Sequence, residues 1–280
     1  VKVPAGLNIE EAKLLLKLAK GAPGLGDRID LVSGSLIGRP YVGGPLGGGP
    51  DLPEVFTATL DGFDCVTYIE TVLALALSRG LHEFLRTLRL LRYKRGEVAW
   101  ASRNHYMVDW ARNNSSAGFI KNLTSGRYAV KKERTLSLVP GLPEKRVSFA
   151  CFPKRKIGSV RTRINTGDLI LFASARKRLD VFHAGLLLLK DGRLLFRHAT
   201  RSIGAVVEQP LAAFLSKNRM SGFILLRPLE SGAEKALHKR KLRGSEMFIE
   251  WCQSGFQAPW ERPVGGRSYG ACFDFRDHDL

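Results

Sequence analysis

The sequence predicts an α+β domain with helices packed on an antiparallel sheet, and three observations carry this. Segments with helical periodicity come first, between residues 9 and 113, short apolar strands follow between 168 and 227, and an Asp-Gly turn joins two of those strands. The 280 residues include 44% hydrophobic and 25% charged side chains, enough apolar material for a core. The reading is one domain over 1–229 and a C-terminal appendage over 230–280, which holds the basic run HKRKLRG and an aromatic, Gly-rich remainder.

The elements follow in order. Residues 9–20 place Ile9, Ala12, Leu15, Leu16 and Ala19 on one helical face. Residues 21–53 are rich in Gly and Pro and read as a loop; without a Gly-Lys-Ser/Thr they form no phosphate-binding loop. Residues 55–60 alternate as a strand would. The segment 64–79 reads as a buried helix closed by Gly80, with Asp64 as N-cap and Cys65 in the first turn. Residues 81–93 form a second amphipathic helix with Arg86, Arg89 and Arg92 on a stripe that reads as a solvated face, and residues 104–113 form a third. Strands follow at 168–173, 181–190, 193–199 and 222–227. Asp191-Gly192 closes the hairpin 181–200. Residues 209–216 read as a short helix with Pro210 at its start.

The formal charge is +18, from 44 Lys plus Arg against 26 Asp plus Glu. It fits an anionic partner such as an envelope polymer or nucleic acid, and equally a well-solvated basic surface. No recognition-helix, RNA-binding or zinc-finger signature accompanies it, so no specific nucleic-acid partner is expected. No apolar run approaches the roughly 18–20 residues of a membrane span. Cys65, Cys151, Cys252 and Cys272 show no Cys-x-x-Cys spacing, so no metal site and no cofactor is expected. If Cys65 is free, at most one intrachain bridge can form, and Cys252 and Cys272 are the nearest pair in sequence.

Cys65 is the sharpest chemical feature. A thiol at a helix N-terminus feels the positive end of the dipole and the free N–H groups, which favour a thiolate and can hold an oxyanion. The plainer reading is a buried structural cysteine. His183 lies mid-strand in VFHAGLLLL, and His198 lies in LLFRHAT on the next strand. The Asp191-Gly192 turn brings them within about one residue pair of each other, close enough for base and orienter to hydrogen-bond. For each alone, a satisfied core histidine is the plainer reading.

Together these motifs resemble a family. FDCVTYIE resembles the nucleophile motif of the NlpC-type cell-wall cysteine hydrolases. TGDLILF and DVFHAGLLLLKDGRLLFRHAT resemble the Gly-Asp-Leu strand, His-x-Gly strand and His-Ala strand of that family. GRPYVGGPL and RNHYMVDW match the further motifs of its N-acetylmuramoyl-L-alanine amidase-like subfamily, so the resemblance spans roughly residues 25–228. It implies a papain-like fold with Cys65 as nucleophile, His183 as general base and acid, and His198 as the orienting third member. It also implies substrate contacts from Tyr41, Asp64, Thr67, Arg103, His105, Asp109 and Trp110.

Of these, Tyr41 is equally a loop-anchoring aromatic. Arg103, His105, Asp109 and Trp110 look like a cleft wall, with His105 also placed for a helical surface pair with Asp109. Val66 replaces the Ser that follows the nucleophile in many NlpC endopeptidases, and no SH3-like wall-binding domain is recognisable. Both favour the amidase subfamily, which cuts between N-acetylmuramic acid and L-Ala, and the resemblance implies the soluble 1,6-anhydro form as its preferred substrate. The alternatives are a γ-D-glutamyl–diaminopimelate endopeptidase and a non-catalytic basic binding module. A monomer is expected, and the resemblance implies that it meets peptidoglycan fragments in the periplasm or outside the cell.

Overall fold

The computed structural model describes residue 4 and residues 6–230. The chain forms helices α1 (Ile9–Lys20), α2 (Leu25–Ser35), α3 (Cys65–Ala76), α4 (Leu81–Arg92) and α5 (Met107–Ser116) before most of the sheet. Strands β1 (Ile120–Asn122), β2 (Val130–Leu136) and β3 (Lys145–Cys151) lead to the short α6 (Ile157–Val160). Strands β4 (Leu169–Ala173), β5 (Val181–Lys190), β6 (Arg193–Thr200) and β7 (Ala205–Pro210) follow, then α7 (Leu211–Lys217) and β8 (Gly222–Pro228). Six strands make one antiparallel sheet in the order β1-β8-β4-β5-β6-β7, while β2 and β3 form a separate ribbon.

Alternation along the strands divides the sheet into two faces. Leu169, Leu171 and Ala173 of β4 and Ala184, Leu186 and Leu188 of β5 join the core around the helices. Ile170, Phe172, Leu187 and Phe196 join a second cluster with Phe214 and Leu215 of α7. The central helix is α3, every residue of which is buried, and it packs on β5 and β6. Its first turn is set locally. Oδ1 of Asp64 accepts the N–H groups of Val66 and Thr67 (3.1 and 2.7 Å), and Oγ1 of Thr67 accepts the Asp64 N–H at 3.0 Å. This reciprocal cap fixes where α3 begins and hence where Cys65 points.

The structure corrects several expectations. The Gly- and Pro-rich stretch contains α2, which starts at the Gly24 N-cap. Residues 55–60 form no strand. Gln209 belongs to β7, and α7 begins at Leu211 rather than at 209. The arginine stripe on α4 is not wholly solvated: Arg92 is buried and its Nε donates to Glu70 of α3 at 2.8 Å. Apart from Glu230, the appendage lies outside the described residues. Among the described residues, no helix is long and apolar enough to cross a membrane.

Candidate active site

The β5–β6 hairpin turns through Asp191 and Gly192, both at positive φ (48° and 70°), as a two-residue turn requires. Its register pairs Leu186 with Arg197, and continuing that ladder sets His198 across from Gly185. His183 is then the diagonal neighbour of His198 on the same face. Nε2 of His183 lies 2.6 Å from Nδ1 of His198. A Cβ at Gly185 would stand 2.5 Å from the Phe196 ring and 2.9 Å from the His198 Cβ, so only glycine leaves room for this pair.

Aromatic rings hold both histidines. Phe196 stacks on His198 at 4.2 Å between centroids, and Phe214 of α7 stacks on His183 at 5.4 Å. Burial lowers the His183 pKa from 6.5 to about 4. Burial also lowers that of His198, with the neighbouring His183 adding to the effect. Both rings are therefore neutral at pH 7. Among the described residues, Nδ1 of His183 carries no hydrogen bond. A third strand completes the row: the side-chain amide nitrogen of Gln209 on β7 lies 2.8 Å from Nε2 of His198. Sequence reasoning missed Gln209 because Pro210 made it look like a helix start.

Cys65 comes from the other layer. It belongs to the core around the helices, whereas the histidine rings share the cluster beside α7. Both lie at one end of the sheet. Tyr41 pairs with Phe63, two residues before Cys65, and its N–H donates to the Gly204 carbonyl where β6 turns into β7. That is also where antiparallel β5 begins, three residues into which His183 stands. The expectation that Cys65 is a free thiol is not met: its sulfur is disulfide-bonded. Cys151 is free and buried.

The remaining predicted contacts separate into two groups. Tyr41 stays beside the site; burial and the nearby Asp64 carboxylate raise its pKa. Asp64 and Thr67 are buried and engaged in the helix cap. That cap also takes the Val66 and Thr67 N–H groups, which removes them from the expected oxyanion role. Arg103, His105 and Trp110 do not make a cleft wall. Arg103 is buried against Glu54 and the Gly47 carbonyl. Nε2 of His105 meets the Trp100 carbonyl at 2.7 Å rather than Asp109, and burial lowers its pKa to about 4. Trp110 is fully buried and donates to Glu70 at 3.1 Å. Asp109 pairs instead with Lys145 and Arg112. Among the described residues, no group of three His, Cys, Asp or Glu side chains is arranged to hold a metal ion.

Helices packed on an antiparallel sheet, most of them on one face and α7 on the other, with two histidines joined across neighbouring strands, define a mixed α/β protein with a paired-imidazole site. The chain belongs to the AmiA-like family, described as N-acetylmuramoyl-L-alanine amidase-like, whose model matches residues 31–223. A Legionella pneumophila structure is similar in fold, with a TM-score of 0.71 at 23% identity, covering 79% of this chain and 94% of that one. An N-acetylmuramoyl-L-alanine amidase from Bacteroides uniformis is 28% identical with a TM-score of 0.65, covering 74% of this chain and 100% of its own. A Bacteroides fragilis protein described as a putative xylanase is 26% identical with a TM-score of 0.62, covering 70% and 98%. No curated protein sequence matches the chain significantly.

Proposed function

We propose that this protein is a cysteine amidase that hydrolyses the bond between N-acetylmuramic acid and L-Ala in peptidoglycan fragments. The observation that carries the reading is the 2.6 Å contact between His183 and His198, on the strands packed against the helix that Cys65 opens. The unbonded Nδ1 of His183 takes the Cys65 proton, and the thiolate attacks the lactyl carbonyl. The C–N bond breaks as Nδ1–H returns its proton to the departing L-Ala nitrogen, leaving a thioester. Water, deprotonated by the same nitrogen, then releases the muramyl acid and regenerates the thiol. His198 orients the His183 ring, and the Tyr41 hydroxyl donates to the oxyanion. Because burial keeps His183 neutral, it acts as a general base that is ready at pH 7 rather than as a standing imidazolium.

This chemistry needs Cys65 reduced. We further propose that the substrates are soluble fragments, including 1,6-anhydro forms, met in the periplasm or outside the cell. The test is digestion of a defined anhydro-muropeptide under a reducing agent, with products weighed by mass spectrometry. Free peptide beginning at L-Ala supports the amidase. Release of a diaminopimelate-terminated peptide points to the γ-D-glutamyl–diaminopimelate endopeptidase. Turnover by Cys65→Ala above a tenth of wild type removes the cysteine from the nucleophile role.

A further inference from the structure

Three neighbouring strands place His183, His198 and Gln209 in one row. His198 pairs with Val207 across the β6–β7 ladder, so Gln209 is its diagonal neighbour on the same face, just as His183 is on the other side. Gln209 precedes Pro210, which confines its backbone to the extended form. The row is stiffened on the opposite face. Buried Arg197, beside His198, binds Glu208, beside Gln209, and also donates to the Asp30 carbonyl and Ser33 hydroxyl of α2.

The two contacts along this row fix a proton pattern. Two neutral imidazoles share one hydrogen bond only if one ring donates and the other accepts. If the Gln209 amide donates to Nε2 of His198, then Nδ1–H of His198 donates to Nε2 of His183. The His183 proton then sits on Nδ1, and that nitrogen has no lone pair to accept another. If the amide oxygen accepts instead, Nε2–H of His198 points to Gln209, and Nε2–H of His183 points to His198. Nδ1 of His183 is then the basic nitrogen. A half-turn of the terminal amide exchanges oxygen and nitrogen at the same 2.8 Å position. Only the second pattern survives when His183 becomes a cation, because both its N–H groups must then donate.

We propose that Gln209 is the terminal positioning residue of this site: its amide oxygen accepts from Nε2–H of His198 and so fixes the tautomer that leaves Nδ1 of His183 basic. This rests on the reading of His183 as base. Gln209 touches neither substrate nor the reacting atoms; it acts through His198. It is half-buried at this end of the sheet, so with the oxygen turned to His198 its NH₂ group can be solvated.

The test combines a readout of proton position with kinetics on the full chain. Two-bond ¹H–¹⁵N correlation spectra of ¹⁵N-histidine protein at pH 7 assign each ring's tautomer without substrate. The expected result is Nε2–H on both His183 and His198. Gln209→Glu offers only acceptors, so it keeps both tautomers and holds turnover within a few fold. Its added negative charge moves the acid limb of the kcat/KM profile to higher pH. Gln209→Leu removes the acceptor, mixes the tautomers and lowers kcat roughly 10–100-fold with KM nearly unchanged, the scale of losing an orienting outer partner. An Nδ1–H tautomer of His198 in the wild type overturns the proposal. So does full turnover in Gln209→Leu, or a Gln209→Glu variant no better than Gln209→Leu. Undiminished turnover by Cys65→Ala would instead sink the amidase mechanism, and the tautomers would still decide the role of Gln209.

Discussion

Replacing Arg92 with Met should be among the most destabilising single changes in the helical layer. The Glu70 carboxylate on α3 accepts from Nε of Arg92 at 2.8 Å and from the Trp110 indole at 3.1 Å, and both members of the ion pair are only 3% exposed. Arg92 also donates to the Thr57 carbonyl. Removing the guanidinium leaves a carboxylate in the core with one neutral donor, and burial already pushes its pKa up. Breaking such a pair costs roughly 3–5 kcal/mol. For a domain of this size each kcal/mol moves Tm by about 2–4 °C, so the expected fall is roughly 6–20 °C. Replacing Glu70 with Leu as well removes the stranded charge and should recover at least half of the loss, although Trp110 and Thr57 then lack a partner. Thermal melts and urea titrations of the wild type, both single variants and the double variant measure this. A cost below about 1 kcal/mol for Arg92→Met, or a double variant no more stable than the single, would refute the account.

Three further outcomes are expected. His183→Gln should lose activity about 10²–10⁴-fold, because an amide carries no proton, whereas His198→Gln should lose less than His198→Ala; steady-state turnover of the three decides. Gly185→Ala should destabilise the sheet and disturb the His198 ring resonances, because its Cβ would fall 2.7 Å from the Arg197 carbonyl; an unchanged Tm would contradict the packing. His105 supplies a pH test. Its folded pKa of about 4 lies below the unfolded 6.5, so between these values the unfolded chain binds the extra proton. Its stabilisation is complete above about pH 6.5 and is lost as pH falls towards 4. The Tm advantage of wild type over His105→Gln should therefore shrink across that window, and a constant difference would exclude buried neutral His105 as its source.

The parts of the molecule legible in sequence are those fixed by near neighbours. Asp64 caps Val66 and Thr67, so the start of α3 and the place of Cys65 follow from four adjacent residues. The Asp191-Gly192 turn fixes the hairpin register and hence the nearness of His183 and His198. What stayed hidden depends on distant partners. The glycines of LGDRIDLVSGS dilute the periodicity of α2, whose burial comes from contacts with α1 and α3. Strands β2 and β3 carry charges along exposed faces and pair mainly with each other, so no apolar alternation marks them. Burial of Arg92, Arg103, His105 and Trp110 is equally non-local. A motif shows that such residues belong together, but not that their polar atoms face Glu70, Glu54 or a backbone carbonyl rather than solvent.

The order of the strands also bears on when the proposed chemistry becomes available during synthesis. The imidazole row comes from β5, β6 and β7, which follow one another in the chain and pair in sequence order. The proposed nucleophile emerges more than a hundred residues earlier, on a helix whose packing surface includes β5 and β6. A nascent chain that has exposed α3 but not the hairpin therefore holds a thiol without a base. A fragment bearing only the sheet holds a base without a thiol. Neither piece can cut an amide, so hydrolytic activity would report that the helical half and the sheet half have closed on each other.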